Sequence, residues 1–167
     1  MIIGVPKEIK ADEYRVALLP FAVQNLTSIG CEVLIENNAG LGSGYTNTDY
    51  INSGAIVLEK SSEVFAQSDM IIKVKELQPT EFDIVREEQI IFTYFHFAAD
   101  KKLTDNFIES NAIAISYETV QKDNGSLPLL VPMSEVAGRM AIQNGAKALE
   151  ANMGGKGLLL SGVPGVE

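Results

Sequence analysis

Six short β-rich runs, at residues 2–5, 32–36, 55–58, 70–74, 90–95 and 112–117, alternate with helix-like segments along most of the chain. That alternation is the signature of βαβ units, and it predicts an α/β fold with a mainly parallel sheet flanked by helices. The intervening helices are legible from their ends and stripes. Pro20 opens one at its first turn, Val23, Leu26 and Ile29 give it an apolar stripe, and Gly30 closes it where a left-handed residue is wanted. Ser61 or Ser62 is expected to cap a short helix carrying Val64 and Phe65, and Asp100 or Thr104 one carrying Leu103, Phe107 and Ile108. The run at 122–125, Lys-Asp-Asn-Gly, reads as a turn. The glycines at 40, 42 and 44 lack the Gly-x-Gly-x-x-Gly spacing and lead into Tyr-Thr-Asn-Thr-Asp, so they read as an ordinary loop.

After Pro128 the texture changes. Ser134 is a good N-cap, and Val136, Ala137, Met140, Ala141, Ala148 and Leu149 recur at helical spacing up to Glu150. Its small residues, Gly138, Ala141, Gly145 and Ala148, permit close backbone packing. The expected organisation is an α/β domain over 1–132, then a connecting helix and glycine-rich segment over 133–167.

Size and charge exclude several classes. With 167 residues, 46% of them hydrophobic and 21% charged, the chain is globular in composition. A net charge of -9 argues against binding nucleic acid or an anionic membrane surface. No apolar run approaches the roughly 18 residues of a membrane span. The first residues lack a basic segment and read as a strand instead of a signal peptide, so the expected compartment is the cytoplasm. A single cysteine, Cys31, excludes an internal disulfide, and no His, Cys, Asp and Glu set has metal-ligand spacing.

Three positions carry candidate chemistry. The run at 90–95 reads as a strand buried on both faces, so His96, the one histidine, falls at its end. In open α/β sheets ligands bind outside the carboxyl ends of the strands, where an imidazole can act as acid or base. The plainer account is a histidine that hydrogen-bonds a neighbouring loop. Arg15, in the loop after the first strand, is suited to gripping a carboxylate by two parallel hydrogen bonds; its plainer account is a surface arginine paired with Asp12 or Glu13. Lys73 and Lys75 alternate at the end of another strand, so at least one sits at the crevice or snorkels out of the sheet, where it could stabilise charge on a carbonyl oxygen. Such a set suits a small anionic carbonyl or amino-acid substrate and an acid/base step.

Several segments together resemble the amino-terminal, substrate-binding part of alanine dehydrogenase. These are Ile-Gly-Val-Pro-Lys-Glu with Glu13-Tyr14-Arg15-Val16-Ala17, then Lys73-Val74-Lys75-Glu76, His96 among aromatics and alanines, and Tyr117-Glu118-Thr119-Val120. Pro132-Met133-Ser134-Glu135-Val136-Ala137-Gly138-Arg139 and the glycine segments at 154–157 and 162–166 complete the pattern. The resemblance implies a flavodoxin/Rossmann-like substrate domain and reversible deamination of L-alanine to pyruvate and ammonia with NAD. It assigns Arg15 and Lys75 to the substrate carboxylate and carbonyl, His96 to acid/base work, and Ser134 to the cofactor phosphates. The family's dinucleotide fold, with a catalytic aspartate, begins about where this sequence ends. The chain by itself is therefore expected to be inactive, as a shortened gene product, an isolated domain or one part of a split enzyme. A homo-oligomer, or a complementary NAD-binding chain, is the expected partner. The alternatives are a transhydrogenase-like nucleotide-binding subunit, for which the histidine and lysine are not expected, a saccharopine dehydrogenase, and a non-catalytic carboxylate-binding or assembly module.

Overall fold

Met1–Thr119 form one compact unit and the chain from Val120 a second, in a computed structural model that describes residues 1–165. The first unit holds β1 (Ile2–Val5), β2 (Glu32–Glu36), β3 (Ile56–Leu58), β4 (Met70–Ile72), β5 (Ile90–Thr93) and β6 (Ile113–Ser116). Among the described residues these make a single sheet of order β3-β2-β1-β4-β5-β6, with every neighbouring pair parallel. Each expected strand is present, trimmed by up to two residues at its ends. Ile3 lies opposite Val33 and Met70, and Ile72 opposite Phe92. A parallel sheet sends the carboxyl end of every strand to one edge. Here the winding reverses about β1, so the loops after β1 and β4 part company at a topological switch point.

Helices α1 (Pro20–Ser28), α2 (Asn47–Asn52), α3 (Ser61–Gln67) and α4 (Lys101–Glu109) cover the sheet on both faces. Alternate strand residues supply two cores. Ile3, Val5, Val33, Ile35 and Ile72 pack with Val23 of α1 and Tyr50 of α2, while Ile71 and Ile91 pack with Val64 and Phe65 of α3 and Phe107 of α4. Gly4 lets α3 lie close on the central strand, because a Cβ there would come within 2.3 Å of the Ser68 hydroxyl and 2.8 Å of Val64.

Local structure both meets and departs from expectation. Lys60, not Ser61 or Ser62, is the N-cap of α3, and the Glu63 carboxylate accepts its N–H at 3.1 Å. Glu63 reaches back across the first turn and satisfies a donor that neither serine faces. Asp100 does cap α4, accepting from Lys102 and Leu103. Ile29 and Ile108 fall on the exposed sides of their helices. Helix α2, absent from the sequence reading, is opened by Thr46 and Asp49, each binding the other's backbone N–H. That Thr-x-x-Asp spacing was its readable signal.

In the second unit, α5 (Val131–Leu149) starts at Val131 with Pro132 in its first turn. The expected N-cap at Ser134 is therefore corrected: Leu130 holds that place, and the Ser134 hydroxyl donates back to the Leu130 carbonyl at 3.3 Å. Proline near the start pre-sets the helical φ and wins over the serine cap. Gly138 and Gly145 have open space where a Cβ would stand. At the helix's far end, Gly155 and Gly157 donate to the Glu150 and Leu149 carbonyls and close its open acceptors. No helix among the described residues is long and apolar enough to cross a membrane.

Candidate functional site

Strands β1, β4 and β5 are neighbours in the sheet, so the segments carrying Arg15, Lys75 and His96 leave the same edge side by side. The two strand-end lysines part at once. Lys73 is fully buried, its ammonium 2.8 Å from a Glu81 carboxylate oxygen and 3.2 Å from Glu8. Burial pushes the Glu81 carboxyl up, against the pull of the Lys73 charge. Lys75 is half-buried, and among the described residues its ammonium makes no hydrogen bond or ion pair. Of the two, Lys75 is the one available to a ligand.

Glu8 connects the loops after β1 and β4. Besides the Lys73 ammonium, its carboxylate accepts the N–H groups of Val74 at 2.6 Å and Lys75 at 3.3 Å. Lys10 and Glu76 form a second ion pair across the same gap. Nothing in the spacing of these acids marked them as partners, because the pairing depends on β4 lying next to β1.

Arg15 is gripped by Glu13, which takes Nε at 2.8 Å, Nη2 at 2.6 Å and the Arg15 backbone N–H at 2.9 Å. One edge of the guanidinium is thereby fixed, while the side chain stays about half exposed and borders a cleft of about 300 Å³ with Lys7, Lys10, Asn38 and Gly42. The Arg15 hydrogen bonds hold the Glu13 carboxyl at about 2, with a smaller contribution from Lys75. A carboxyl lowered from its ordinary 4.5 stabilises the fold above that pH and loses the contribution as pH falls towards 2. The stability gap in urea unfolding between the natural chain and Glu13→Gln is thus expected to be constant above about pH 5 and to close by about pH 2, with a plateau of roughly 1 kcal/mol after solvent screening. A gap independent of pH would rule this out.

Gly42 seats the Arg15 loop. A Cβ there would stand 2.3 Å from the Tyr14 carbonyl oxygen, and the neighbouring Ser43 hydroxyl donates to that oxygen at 3.3 Å. The glycines at 40–44 therefore support the Arg15 loop through a 3-10 turn, Leu41–Ser43.

His96 is exposed and sits in the left-handed region at φ 55, its N–H donated to a Glu118 carboxylate oxygen at 2.9 Å. Burial works against ionisation of Glu118, but the Ser116 hydroxyl and the His96 N–H outweigh it and bring its carboxyl below the usual range. Phe95 and Phe97 on either side stack at 4.4 Å inside the core, which leaves the residue between them to turn outward. The imidazole lies nearly parallel to the Tyr94 ring at 6.3 Å, and Tyr94 packs edge-on against Tyr117 at 4.8 Å. Tyr94 also feels the Arg15 charge, as Glu13 feels that of Lys75. Lys75 and His96 do not line the cleft beside Arg15. Ser134 lies apart in sequence on α5 and is exposed.

Fold and crevice define a class: a doubly wound, all-parallel α/β domain with cationic side chains and an exposed histidine at its switch-point edge. The chain belongs to the family described as "Alanine dehydrogenase/PNT, N-terminal domain", whose model matches residues 4–137. It is 53% identical to the alanine dehydrogenase of Methanococcus maripaludis over 167 residues, covering 100% of this chain and 45% of that protein. To the alanine dehydrogenase of Mycobacterium tuberculosis it is 47% identical, with the same coverage of 100% and 45%. Among solved structures, an L-alanine dehydrogenase superposes with a TM-score of 0.88 at 47% identity, over 100% of this chain and 46% of that one. A transhydrogenase from Sinorhizobium meliloti gives 0.67 at 24% identity over 71% and 34%, a likeness of fold alone. The chain spans under half the length of the alanine dehydrogenases it matches.

Proposed function

We propose that this chain is the substrate-binding portion of an NAD-dependent L-alanine dehydrogenase. The observation that supports the reading is that the segments bearing Arg15, Lys75 and His96 follow three adjacent parallel strands, β1, β4 and β5. Arg15, its one edge held by Glu13, offers the remaining N–H groups to the substrate carboxylate. Lys75 donates to the carbonyl oxygen and stabilises the negative charge that builds there. His96 moves protons on and off water and the carbinolamine.

NAD supplies the hydride acceptor. On this chain the exposed Ser134 hydroxyl, in the opening turns of α5, is the group that would meet its phosphates. The turn at 40–44 is not a phosphate cradle, because its backbone is packed on Tyr14. A cytoplasmic homo-oligomer that uses the open small-residue face of α5 is part of the same proposal.

The pure 167-residue chain is expected to bind pyruvate weakly, to lose that binding in Arg15→Ala, and to turn over L-alanine with NAD negligibly. Calorimetry giving identical heats for the natural chain and Arg15→Ala would remove Arg15 from the site. An alanine-dependent rise in NADH absorbance from the pure chain would show that it needs no complementary cofactor domain.

A further inference from the structure

Strand β4 ends at Ile72, and from Lys73 to Gln78 the chain has no regular structure. No ladder of hydrogen bonds therefore fixes the residue on which the proposed carbonyl contact depends. Individual bonds replace it. The Lys73 N–H still reaches the Phe92 carbonyl at 3.1 Å. One step further, Glu8 accepts the N–H groups of Val74 and Lys75. On the other side, the Thr93 hydroxyl donates to the Lys75 carbonyl at 2.9 Å. Thr93 is the last residue of β5 and is fully buried, so its hydroxyl has no water to bind and its rotamer is set by the packing.

Glu8 is held in its turn by the buried Lys73, which Glu81 also grips. The backbone of Lys75 is thus held at its N–H by Glu8, from the loop after β1, and at its carbonyl by Thr93, the last residue of β5, while among the described residues its ammonium makes no hydrogen bond or ion pair. Such an arrangement fixes a functional group's backbone without using the group itself.

We propose that Thr93, together with Glu8, is a positioning residue for Lys75: the buried Thr93 hydroxyl pins the Lys75 carbonyl and so sets where the Lys75 ammonium meets the substrate. The proposal rests on Lys75 being the carbonyl contact, and the test separates the two. Thr93→Val keeps the shape and removes only the donor, whereas Thr93→Ser keeps the donor and removes a methyl. Both variants lose stability under either role, Thr93→Val through the unpaired Lys75 carbonyl and Thr93→Ser through the lost methyl; only a positioning role also moves the Lys75 ammonium, and only in Thr93→Val.

The lysines of the natural chain and its variants would be reductively methylated with ¹³C-formaldehyde, and the Lys75 signal assigned by its loss in Lys75→Ala. The expected result is a Lys75 signal shifted towards the solvent-exposed lysines in Thr93→Val and unmoved in Thr93→Ser. In parallel, pyruvate affinity should fall roughly tenfold in Thr93→Val, the scale of one lost hydrogen bond, and stay within about twofold in Thr93→Ser. A Lys75 signal unchanged in Thr93→Val overturns the inference, and so does an equal displacement in Thr93→Ser. Equal pyruvate binding by the natural chain and Lys75→Ala overturns the role of Lys75 instead, while the signal still decides the clamp. If Thr93→Val does not fold, Thr93→Ala against Thr93→Ser makes the same comparison.

Discussion

Lys73→Met is expected to destabilise the fold by about 3–5 kcal/mol at neutral pH, the cost of leaving buried charge without its partner. Among the described residues Lys73 is the one cation ion-paired with Glu8 and Glu81, and all three side chains are withdrawn from water. Methionine fills the space of the lysine stem, so the loss is electrostatic and not a cavity. The sign of its pH dependence follows. With the cation gone, the Glu81 carboxyl, already pushed up by burial, loses the pull that opposed that rise, so the fold keeps its stability at low pH and loses it as pH rises through the raised value. Urea unfolding of the two proteins should therefore show a gap that is small near pH 4 and grows towards pH 7. A loss below about 1 kcal/mol at pH 7 would mean that the triad is solvated enough to spare its cation.

Phe95→Ala should cost a comparable amount, about 3–5 kcal/mol, as expected for a large aromatic removed from a closed core. Phe95 is fully buried, stacks on Phe97 at 4.4 Å and meets Phe107 of α4 edge-on at 5.0 Å. These rings fasten the turn after β5 to the helix that follows. Their loss should free His96 from its left-handed conformation and from the Glu118 carboxylate. Hydrogen exchange at the His96 amide is therefore expected to rise by more than the global loss of stability explains. Phe95→Leu, which keeps much of the volume, should lose less than half as much stability. Exchange at His96 that merely tracks global unfolding would show that Glu118 alone holds the turn.

How far the sequence reached can be judged from particular residues. The six strands were legible because each is a short apolar run between polar breaks, a property of neighbours in the chain. Helix α1 opened at Pro20 and its chain turned at Gly30, which has a positive φ, for equally local reasons. Where two local signals competed, as serine against proline at the start of α5, the choice depended on which first-turn geometry was cheaper, and the residue types alone did not rank them. In the candidate site, Arg15 and His96 were picked out by type and place. Glu8, Glu81, Thr93 and Glu118 were not, since an acid or a threonine gains meaning only from what stands opposite it.

The sequence by itself determined the strand–helix alternation, the place of Arg15 in the loop after the first strand and of Lys75 and His96 at strand ends, and the family. Only the tertiary structure decided that β1, β4 and β5 are neighbours, that Lys73 is locked between Glu8 and Glu81 while Lys75 has no ion pair among the described residues, and that Glu13 already holds one edge of Arg15. The physical reason is range. Propensity and periodicity act between residues a few positions apart, whereas strand order and buried ion pairs join residues as distant in sequence as Glu8 and Lys73, 65 positions apart.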